Sequence, residues 1–590
     1  MYFSTFAALT CTFTSVFSQG LSSTSLEKHV DSLALDFSFK PVKEAYWTGL
    51  PHHRRTPFAA SPDGKSAFLA YLDSNETDVH VQQVDPESFT AVGSAVTIEG
   101  AKEAGGLVAH DDGFALLTNE ALPSGTANAP LDSTPVAVLY RYTDGIQTWK
   151  TFLGGPDVDS SLGSLASPDL NGDLVYSSEA GLYGAYFVAT AYSGSAEGHF
   201  GDSIQYVKTD GTLTTISGAT SSWGCSHNTG IAFEAADEAP FASLCAEDQG
   251  EIWLNTRGQG MGGVKVANEN TTNGGSGEPM GGMSGSYSNM VRLVDSDAYV
   301  LAWVSRGAVD LTENEWLGGG NTQCSNRTNN RNVAIAQFSD KNTLDGEEAT
   351  SEIGAADGDS QVNWITQGTA DASNAHVAAF DSESVVVTWE EIEDPYCPVI
   401  AMGCQGEFTG TRFQLVTQGA KVGEPLVETD VYVAGDMVTL SDGRVCWPYV
   451  SMTWDLSQPV AYGGSGATAD KISFACISNS AGSGNGVASS TSAVAGTSTV
   501  AGTSTAAPST TFLTSVRHTD SAAAPTTSAL ETLPASPSDT TVVVDPASSA
   551  PQVHTATVIA TPAPAPSSSA SPGKDKGGKP SCRGRRPAGV

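Results

Sequence analysis

Short apolar runs separated by Gly, Asp, Asn and Ser make up most of the chain between residues 20 and 478. Apolar positions rarely recur at the three- to four-residue spacing of an amphipathic helix, whereas short β-type segments bounded by turn residues are frequent. This pattern is typical of all-β folds, which include sandwiches, barrels and propellers. We therefore expect residues 19–478 to form an all-β domain.

One element recurs along this region: an apolar strand leads into an acidic or Asn-containing turn, and a second apolar strand follows. Asp and Gly tolerate the backbone conformations of tight turns, so such a segment predicts a β-hairpin. The seven copies are PFAASPDGKSAFLAYL from Pro57, GLVAHDDGFALLT from Gly106, LASPDLNGDLVYS from Leu165, GIAFEAADEAPFASLC from Gly230, MVRLVDSDAYVLAWV from Met290, HVAAFDSESVVVTWEE from His376 and MVTLSDGRVCWPYV from Met437. Their turns are predicted near Asp63, Asp112, Gly172, Asp237, Asp297, Ser382 and Asp442.

The spacing of these hairpins indicates how they are arranged. Successive turns lie roughly 50 to 85 residues apart, which is enough chain for one four-stranded blade. Radial repetition of such blades makes a β-propeller, and the seven copies predict seven blades, with six or eight as alternatives. Pairing of KISFACIS at 471–478 with an early strand such as SLALDFSF at 32–39 would close the ring. A pair of β-sandwich domains is the competing architecture.

The two ends of the chain differ in composition from the domain between them. Residues 1–18 contain an apolar run from Phe6 to Phe17 and predict a secretory signal peptide, although no Lys or Arg precedes the run. A short buried helix is the alternative. Residues 479–570 are rich in Ser, Thr, Ala and Pro, which predicts a disordered, O-glycosylated stalk. Residues 571–590 form a basic tail without the hydrophobic end of a GPI signal, so no GPI anchor is expected.

Two further observations, the glycosylation acceptors and the cysteine spacing, fit a secreted protein. Asn75, Asn270 and Asn326 each begin an Asn-x-Thr glycosylation acceptor. No stretch after the leader approaches the ~20 apolar residues of a transmembrane helix. The cysteines of the domain show no C-x-x-C spacing, which favours disulfides over a zinc or redox site. We expect a glycoprotein that is extracellular or associated with a cell wall.

The hairpin pattern also predicts how the cysteines pair. Cys225 and Cys245 would lie at the open end of one hairpin, within the ~5–6 Å Cα separation of a disulfide. Such a bond would exclude Cys225 as the nucleophile of a dyad with His227, because the thiolate is the reactive form. The same reasoning pairs Cys397 with Cys404 and Cys446 with Cys476. Cys324 and Cys582 are left without a predicted partner.

The charge balance limits the partners. The chain has 65 Asp and Glu against 28 Lys and Arg, which gives a formal net charge of −37 at pH 7. Such a protein repels nucleic acid and anionic membranes and favours cations or neutral ligands. We expect a monomer with no nucleic-acid partner. No cofactor is expected, since no G-x-G-x-x-G segment opens a helical pattern and no P-loop is present.

Polar residues precede the predicted first strand of most hairpins. If these first strands are the inner strands of blades, the polar residues meet at one mouth of the central channel. Convergent polar groups in a concavity are the usual sign of a ligand site. The alternative is that they cap strand ends and bind channel water. The candidate ligand-binding residues are His53, Arg54, Glu103, His227, Asn228, Asn289, Asn374, His376 and Asp436.

The segment DLNGD at 169–173 resembles the calcium loop of integrin-type FG-GAP repeats. It offers Asp169, Asn171 and Asp173 as oxygen ligands for Ca²⁺, which needs six or more oxygens. The segment occurs once, no glycine follows Asp173, and no later acidic ligand is in place. An ordinary turn is therefore the competing interpretation.

The repeat copies lack the Trp-Asp pair of WD40 blades and the regular double glycine of kelch blades. Residues 20–478 resemble uncharacterised secreted β-propeller proteins of filamentous fungi, and this resemblance implies the fold but no activity. We expect a module that binds an extracellular glycan or wall polymer at the channel mouth. The alternatives are a propeller enzyme of the glycoside hydrolase, lyase or lactonase type, and a non-catalytic structural protein of the cell surface.

Overall fold

A computed structural model describes most of the region between residues 20 and 479. The described residues are 20–45, 50–156, 158, 164–170, 172–194, 197–198, 200–221, 230–247, 251–257, 262–270, 289–314, 321–397, 403–460 and 464–479. The chain divides into two units, residues 1–487 and 488–590, and all described residues belong to the first. The predicted signal peptide, the predicted stalk beyond residue 479 and the basic tail lie outside the described residues.

The described strands form nine antiparallel sheets, of which two are two-stranded hairpins and seven are called here blades 1 to 7 and given from the inner strand outwards. Blade 1 consists of Phe58–Ala60, Ala67–Leu72, Asp78–Val84 and Ala91–Glu99. Blade 2 consists of Ala104–His110, Gly113–Glu120, Val136–Thr143 and Ile146–Phe152. Blade 3 consists of Gly172–Ser177, Leu182–Ala191, Phe200–Lys208 and Leu213–Thr214, with Leu165–Ala166 as an additional short strand. Blade 4 consists of Gly230–Glu234, Ala242–Glu247, Glu251–Leu254 and Val264–Asn268.

Blade 5 carries insertions, and blade 7 combines both ends of the domain. Blade 5 consists of Met290–Arg292, Tyr299–Ser305, Asn332–Asp340 and Thr343–Leu344, with Asn363–Trp364 added and the hairpin Ala308–Glu313/Thr322–Asn326 inserted. Blade 6 consists of Asp371–Ala379, Ser384–Tyr396, Gln405–Thr417 and Ala420–Glu428. Blade 7 consists of Val438–Thr439, Val445–Tyr449, Ala469–Ile477 and the N-terminal strand Leu26–Phe39. A 3₁₀ turn at Ser23–Ser25 and a hairpin of Val42–Ala45 with Leu50–His53 complete the described elements.

The seven blades form a closed ring, which confirms the predicted propeller. The inner strands contact one another in blade order, and the inner strand of blade 7 contacts that of blade 1. The predicted closing pair is present, with Leu33 opposite Ile472 and Ala34 opposite Lys471. The ring is thus held shut by strands from opposite ends of the domain.

Packing between blades explains the apolar runs of the sequence. One cluster of buried apolar side chains lies at each of the seven contacts between neighbouring blades. Strand Ala67–Leu72, for example, is buried at every position, because its two faces pack against different neighbours. Strands buried on both faces are continuously apolar rather than alternating. Trp303 and Trp389 belong to these clusters and are 1% and 2% exposed.

Six of the seven predicted turns join an inner strand to the second strand of a blade, and the third prediction is wrong. Gly172 begins the inner strand of blade 3, and that strand ends at Ser177. Leu165–Ala166 and Gly172–Ser177 both pair with the second strand rather than with each other. Gly172 is required by close packing, since a Cβ there would lie 2.6 Å from the Cβ atom of Phe187.

The disulfides follow the predicted pairing where the structure describes both cysteines. Cys397 pairs with Cys404, and Cys446 pairs with Cys476 across adjacent strands of blade 7. Cys245 is also disulfide-bonded, and its predicted partner, Cys225, lies outside the described residues. Of the two cysteines without a predicted partner, Cys324 is free and Cys582 lies outside the described residues. Within the described part of the chain, no helix has the length and apolar character needed to cross a membrane.

Candidate functional site

Arg55 joins four neighbouring blades at the end of the ring where the inner strands begin. Its side chain leaves the segment before blade 1 and donates to the carbonyl oxygens of Gly105 in blade 2 and Gly172 in blade 3. Its Nη2 atom lies 3.1 Å from Asp173 Oδ1 and 2.9 Å from Asp436 Oδ1. Asp436 precedes the inner strand of blade 7 and also accepts a 3.2 Å bond from the backbone N–H of Phe58. We call Arg55, Asp173 and Asp436 the Arg55 cluster.

The Arg55 cluster combines burial with partial access to solvent. The Arg55 side chain is 7% exposed, and the two carboxylate side chains are 15% and 16% exposed. Burial raises the pKa of Asp173 to about 6, and the nearby carboxylate of Asp436 adds to the rise, while Arg55 opposes it. Burial likewise raises the pKa of Glu234, on the neighbouring inner strand of blade 4, to about 7. Two carboxyl groups in this region therefore titrate near neutral pH.

Two of the predicted ligand residues, Arg54 and Glu103, form a separate ion-pair group. Glu103 lies 3.0 Å from Lys43 Nζ and 3.5 Å from Arg54 Nη1. Arg54 Nη2 also lies 3.2 Å from a carboxylate oxygen of Glu76. Burial raises the pKa of Glu103, but the two cations lower it overall. These side chains fix the hairpin of Val42–Ala45 and Leu50–His53, called here the N-terminal hairpin, against blades 1 and 2.

Three other predicted residues, His53, Asn374 and His376, form a buried network around Glu390. His53 Nε2 lies 2.7 Å from Glu390 Oε1, which also accepts a 2.9 Å bond from Asn374 Nδ2. Trp454 Nε1 donates to Glu390 Oε2 at 2.7 Å, and the Trp454 ring stacks on His53 at 3.8 Å. Asn374 Oδ1 lies 2.8 Å from His376 Nε2. This Glu390 network links the N-terminal hairpin, blade 6 and the loop after Tyr449.

The remaining predicted residues fall into three situations. Asn289 donates to the carbonyl oxygens of Ala302 and Ala375 and so ties blade 5 to blade 6. His227, Asn228 and Asn171 lie outside the described residues. Asp169 has a pKa raised by burial, but its predicted co-ligand Asp173 bonds to Arg55. Among the described residues, no group of three or more His, Cys, Asp or Glu side chains is arranged to hold a metal ion.

The structure therefore divides the predicted ring of polar residues into separate groups. Asp436 and Asp173 meet at Arg55, which sequence reasoning missed although it lies beside Arg54 in a pair of arginines. Glu390 begins the acidic segment Glu390–Asp394, whose composition could supply paired carboxylates but is more typical of a solvated surface, and the structure instead buries Glu390. Nothing in the sequence indicates that Trp454 reaches Glu390, since the two are brought together only by the order of the blades.

The glycosylation acceptors differ in exposure. Asn75 is exposed in the turn between the second and third strands of blade 1. Asn270 is exposed beyond the outer strand of blade 4. Asn326 is half-buried at the end of the inserted hairpin of blade 5, and its Oδ1 atom is buried. Asn75 and Asn270 are thus the more accessible acceptors.

Comparison with known proteins finds only distant structural neighbours. No family model matches the chain, and no curated protein matches it. Among solved structures, Bacillus subtilis levansucrase is 10% identical, with 70% of this chain and 92% of that chain covered and a TM-score of 0.28. A B. megaterium levansucrase variant is 10% identical, with 70% and 90% covered and a TM-score of 0.26. A prolyl endopeptidase is 11% identical, with 62% and 45% covered and a TM-score of 0.28. Such low TM-scores carry no argument about the site, and the fold rests on the strand topology.

Proposed function

We propose that the protein is a secreted binding module for an extracellular glycan or wall polymer, which binds at the Arg55 cluster. The observation that supports this is one guanidinium held between two carboxylates where the inner strands begin, with all three groups partly accessible. The cluster is assembled from segments of blades 1, 3 and 7. It is therefore built by closure of the ring.

Neutral sugars suit this chemistry. The carboxylate oxygens of Asp173 and Asp436 keep lone pairs beyond those that accept from Arg55, so neighbouring sugar hydroxyls donate to these two carboxylates. The bonds from Arg55 to two backbone carbonyls hold the guanidinium in place before a ligand arrives, and such preorganisation reduces the entropy cost of binding. A neutral glycan also avoids the repulsion that a net charge of −37 imposes on anions.

The extracellular location is part of the proposal. The disulfides Cys397–Cys404 and Cys446–Cys476 support it, because such bonds persist in oxidising compartments. The exposed acceptors at Asn75 and Asn270 are accessible to a glycosyltransferase. A single measurement, mass spectrometry of the protein from culture medium, tests both secretion and glycan attachment.

The binding test is a screen of glycans and wall polysaccharides with three forms of the full chain: the wild type, Asp436→Asn and Asp112→Asn. Asp436→Asn removes one charge of the Arg55 cluster and is expected to weaken binding at least tenfold, or about 1.4 kcal/mol. Asp112→Asn is the matched control, because Asp112 is exposed at the other end of an inner strand and pairs with Arg141. A folded protein that binds no glycan, or that binds equally in all three forms, contradicts the proposal.

The raised pKa values of Asp173 and Glu234 favour hydrolysis of a glycosidic bond as a second candidate function. Glycosidases pair a protonated carboxyl group with an ionised one, and groups with pKa values of about 6 and about 7 provide this near neutral pH. The test measures release of reducing ends from the bound glycan between pH 4 and 9. Turnover is expected to fall above about pH 7, where the acid loses its proton. Turnover that survives both Asp173→Asn and Glu234→Gln contradicts this candidate.

A further inference from the structure

A small cavity lies beside the Glu390 network, apart from the residues of the Arg55 cluster. It has a volume of about 30 Å³, which is room for roughly two water molecules or two to three non-hydrogen atoms. Segments from the N-terminal hairpin, blade 5, blade 6 and the loop after Tyr449 line it. The cavity therefore fits the end group of a larger molecule.

The walls of the cavity are of two kinds. Leu50, Val304, Ile392 and Leu456 provide an apolar side, and all four are at most 8% exposed. Ser373, which is half-buried on the inner strand of blade 6, adds a hydroxyl group to the polar side. A ligand group that matches both sides has an apolar end and a hydrogen-bonding end.

The ionisable residues of the wall each have a partner close by. Arg331 Nε lies 3.0 Å from Asp371 Oδ1, and both side chains are at most 3% exposed. His53 lies 2.7 Å from Glu390, and both are 2% exposed. A charged ligand group would have to be desolvated beside ionisable groups that already have partners, which is costly. The cavity therefore favours a neutral group.

We infer that this cavity binds the acetamido group of an N-acetylated sugar, an inference that rests on the proposed function in taking the ligand to be a glycan. Among groups that sugars carry, a hydroxyl lacks an apolar end and a carboxylate is charged. An acetamido group is neutral. Its methyl carbon, carbonyl carbon and carbonyl oxygen are three non-hydrogen atoms, which match the volume of the cavity. The methyl group would lie against Val304 and Leu456, and the Ser373 hydroxyl would donate to the carbonyl oxygen.

The test compares two β-1,4-linked oligomers of equal length, one of N-acetylglucosamine and one of glucose, by calorimetry with the full chain. The acetylated oligomer is expected to bind at least tenfold more tightly. Ser373→Leu fills the cavity and is expected to remove this preference, while Ser373→Ala leaves the space open and reduces the preference severalfold. Ser325→Leu, at an exposed strand position, is the control for added bulk and keeps the preference. Thermal unfolding of each variant confirms that it is folded.

The outcomes separate this inference from the proposed function. Equal binding of the two oligomers, lost in Asp436→Asn, overturns the acetamido site and leaves glycan binding at the Arg55 cluster intact. A preference that persists in folded Ser373→Leu also overturns the acetamido site. Absence of binding to every glycan by the folded wild-type protein overturns both proposals. The acetamido site is supported if the wild type prefers the acetylated oligomer tenfold and only Ser373→Leu abolishes this preference.

Discussion

Two pairs of ionisable side chains are buried together in the propeller. His53 pairs with Glu390 at 2.7 Å, and Lys265 pairs with Glu251 at 2.9 Å. No member of these pairs is more than 3% exposed at its side chain. An isolated buried charge loses its hydration, and a close partner with further hydrogen bonds offsets that loss. The pairs therefore hold together segments that are distant in sequence.

The pair of His53 and Glu390 leads to a prediction about stability. His53→Ala leaves the buried Glu390 carboxylate without its 2.7 Å hydrogen bond to the imidazole and is expected to lower the free energy of unfolding by about 2–3 kcal/mol. Urea unfolding followed by tryptophan fluorescence measures the change. His29→Ala, at a histidine with 18% side-chain exposure, is the control and is expected to cost less. The double variant His53→Ala/Glu390→Gln removes the remaining charge and is expected to recover part of the loss. A cost below 1 kcal/mol for His53→Ala contradicts the account.

Glu234 leads to a prediction about pH. Burial raises its pKa from an ordinary 4.5 to about 7, so the folded protein keeps the proton that the unfolded chain loses near pH 4.5. The stability contributed by that proton is lost as the pH rises from about 4.5 to about 7, by about 3 kcal/mol. Glu234→Gln is expected to lose less stability between pH 4.5 and pH 8 than the wild type. Exposed Glu179→Gln is the control, and the same loss in all three proteins contradicts the prediction.

The turns between strands and the contacts between blades differ in how far the sequence alone predicts them. The turns at Asp63 and Asp112 are predictable because short acidic segments join two apolar strands there. The turn at Gly172 is predicted wrongly because its glycine serves close packing against Phe187 rather than chain reversal. The Arg55 cluster is not predictable because its members lie in three blades, and only the order and tilt of the blades bring them together. Local pattern thus reveals the hairpins, whereas contacts between blades require the whole ring.

The two described disulfides are expected to stabilise the protein unequally. Cys446 and Cys476 are 30 residues apart and join two strands of the closing blade, whereas Cys397 and Cys404 are seven residues apart in one loop. Loop-closure entropy gives about 3–4 kcal/mol for the longer loop and about 2 kcal/mol for the shorter. Replacing each pair by alanine and measuring urea unfolding tests this. An equal or larger loss for the Cys397/Cys404 pair contradicts the prediction.

The ring as a whole depends on one strand from the start of the domain. Leu26–Phe39 is the outer strand of blade 7, and its Leu33 and Phe39 side chains are 0% and 1% exposed in the cluster between blades 7 and 1. The other blades use strands that are consecutive, or nearly so, in the chain. Blade 7 alone among the described blades therefore couples the two ends of the domain.

Removing this strand tests whether ring closure stabilises the whole propeller. A chain that begins at Pro41 is expected to lose at least about 4 kcal/mol of unfolding free energy, because two large buried side chains are removed and the third strand of blade 7 loses its outer partner. A circular permutant separates loss of closure from loss of the strand. Ser478 N–H bonds to the carbonyl oxygen of Ser25, so a short linker after residue 478 can lead directly into the moved strand.

The permutant begins at Pro41, continues to Ser478 and then carries residues 25–40 after the linker. Because every strand pair of blade 7 is then present, its melting temperature is expected to approach that of the wild type, while the truncated chain melts well below both. If the truncated chain unfolds at the wild-type temperature, the N-terminal strand does not stabilise the ring. If the permutant is as unstable as the truncated chain, attachment of this strand to the start of the domain, and not its pairing alone, is what closes the ring.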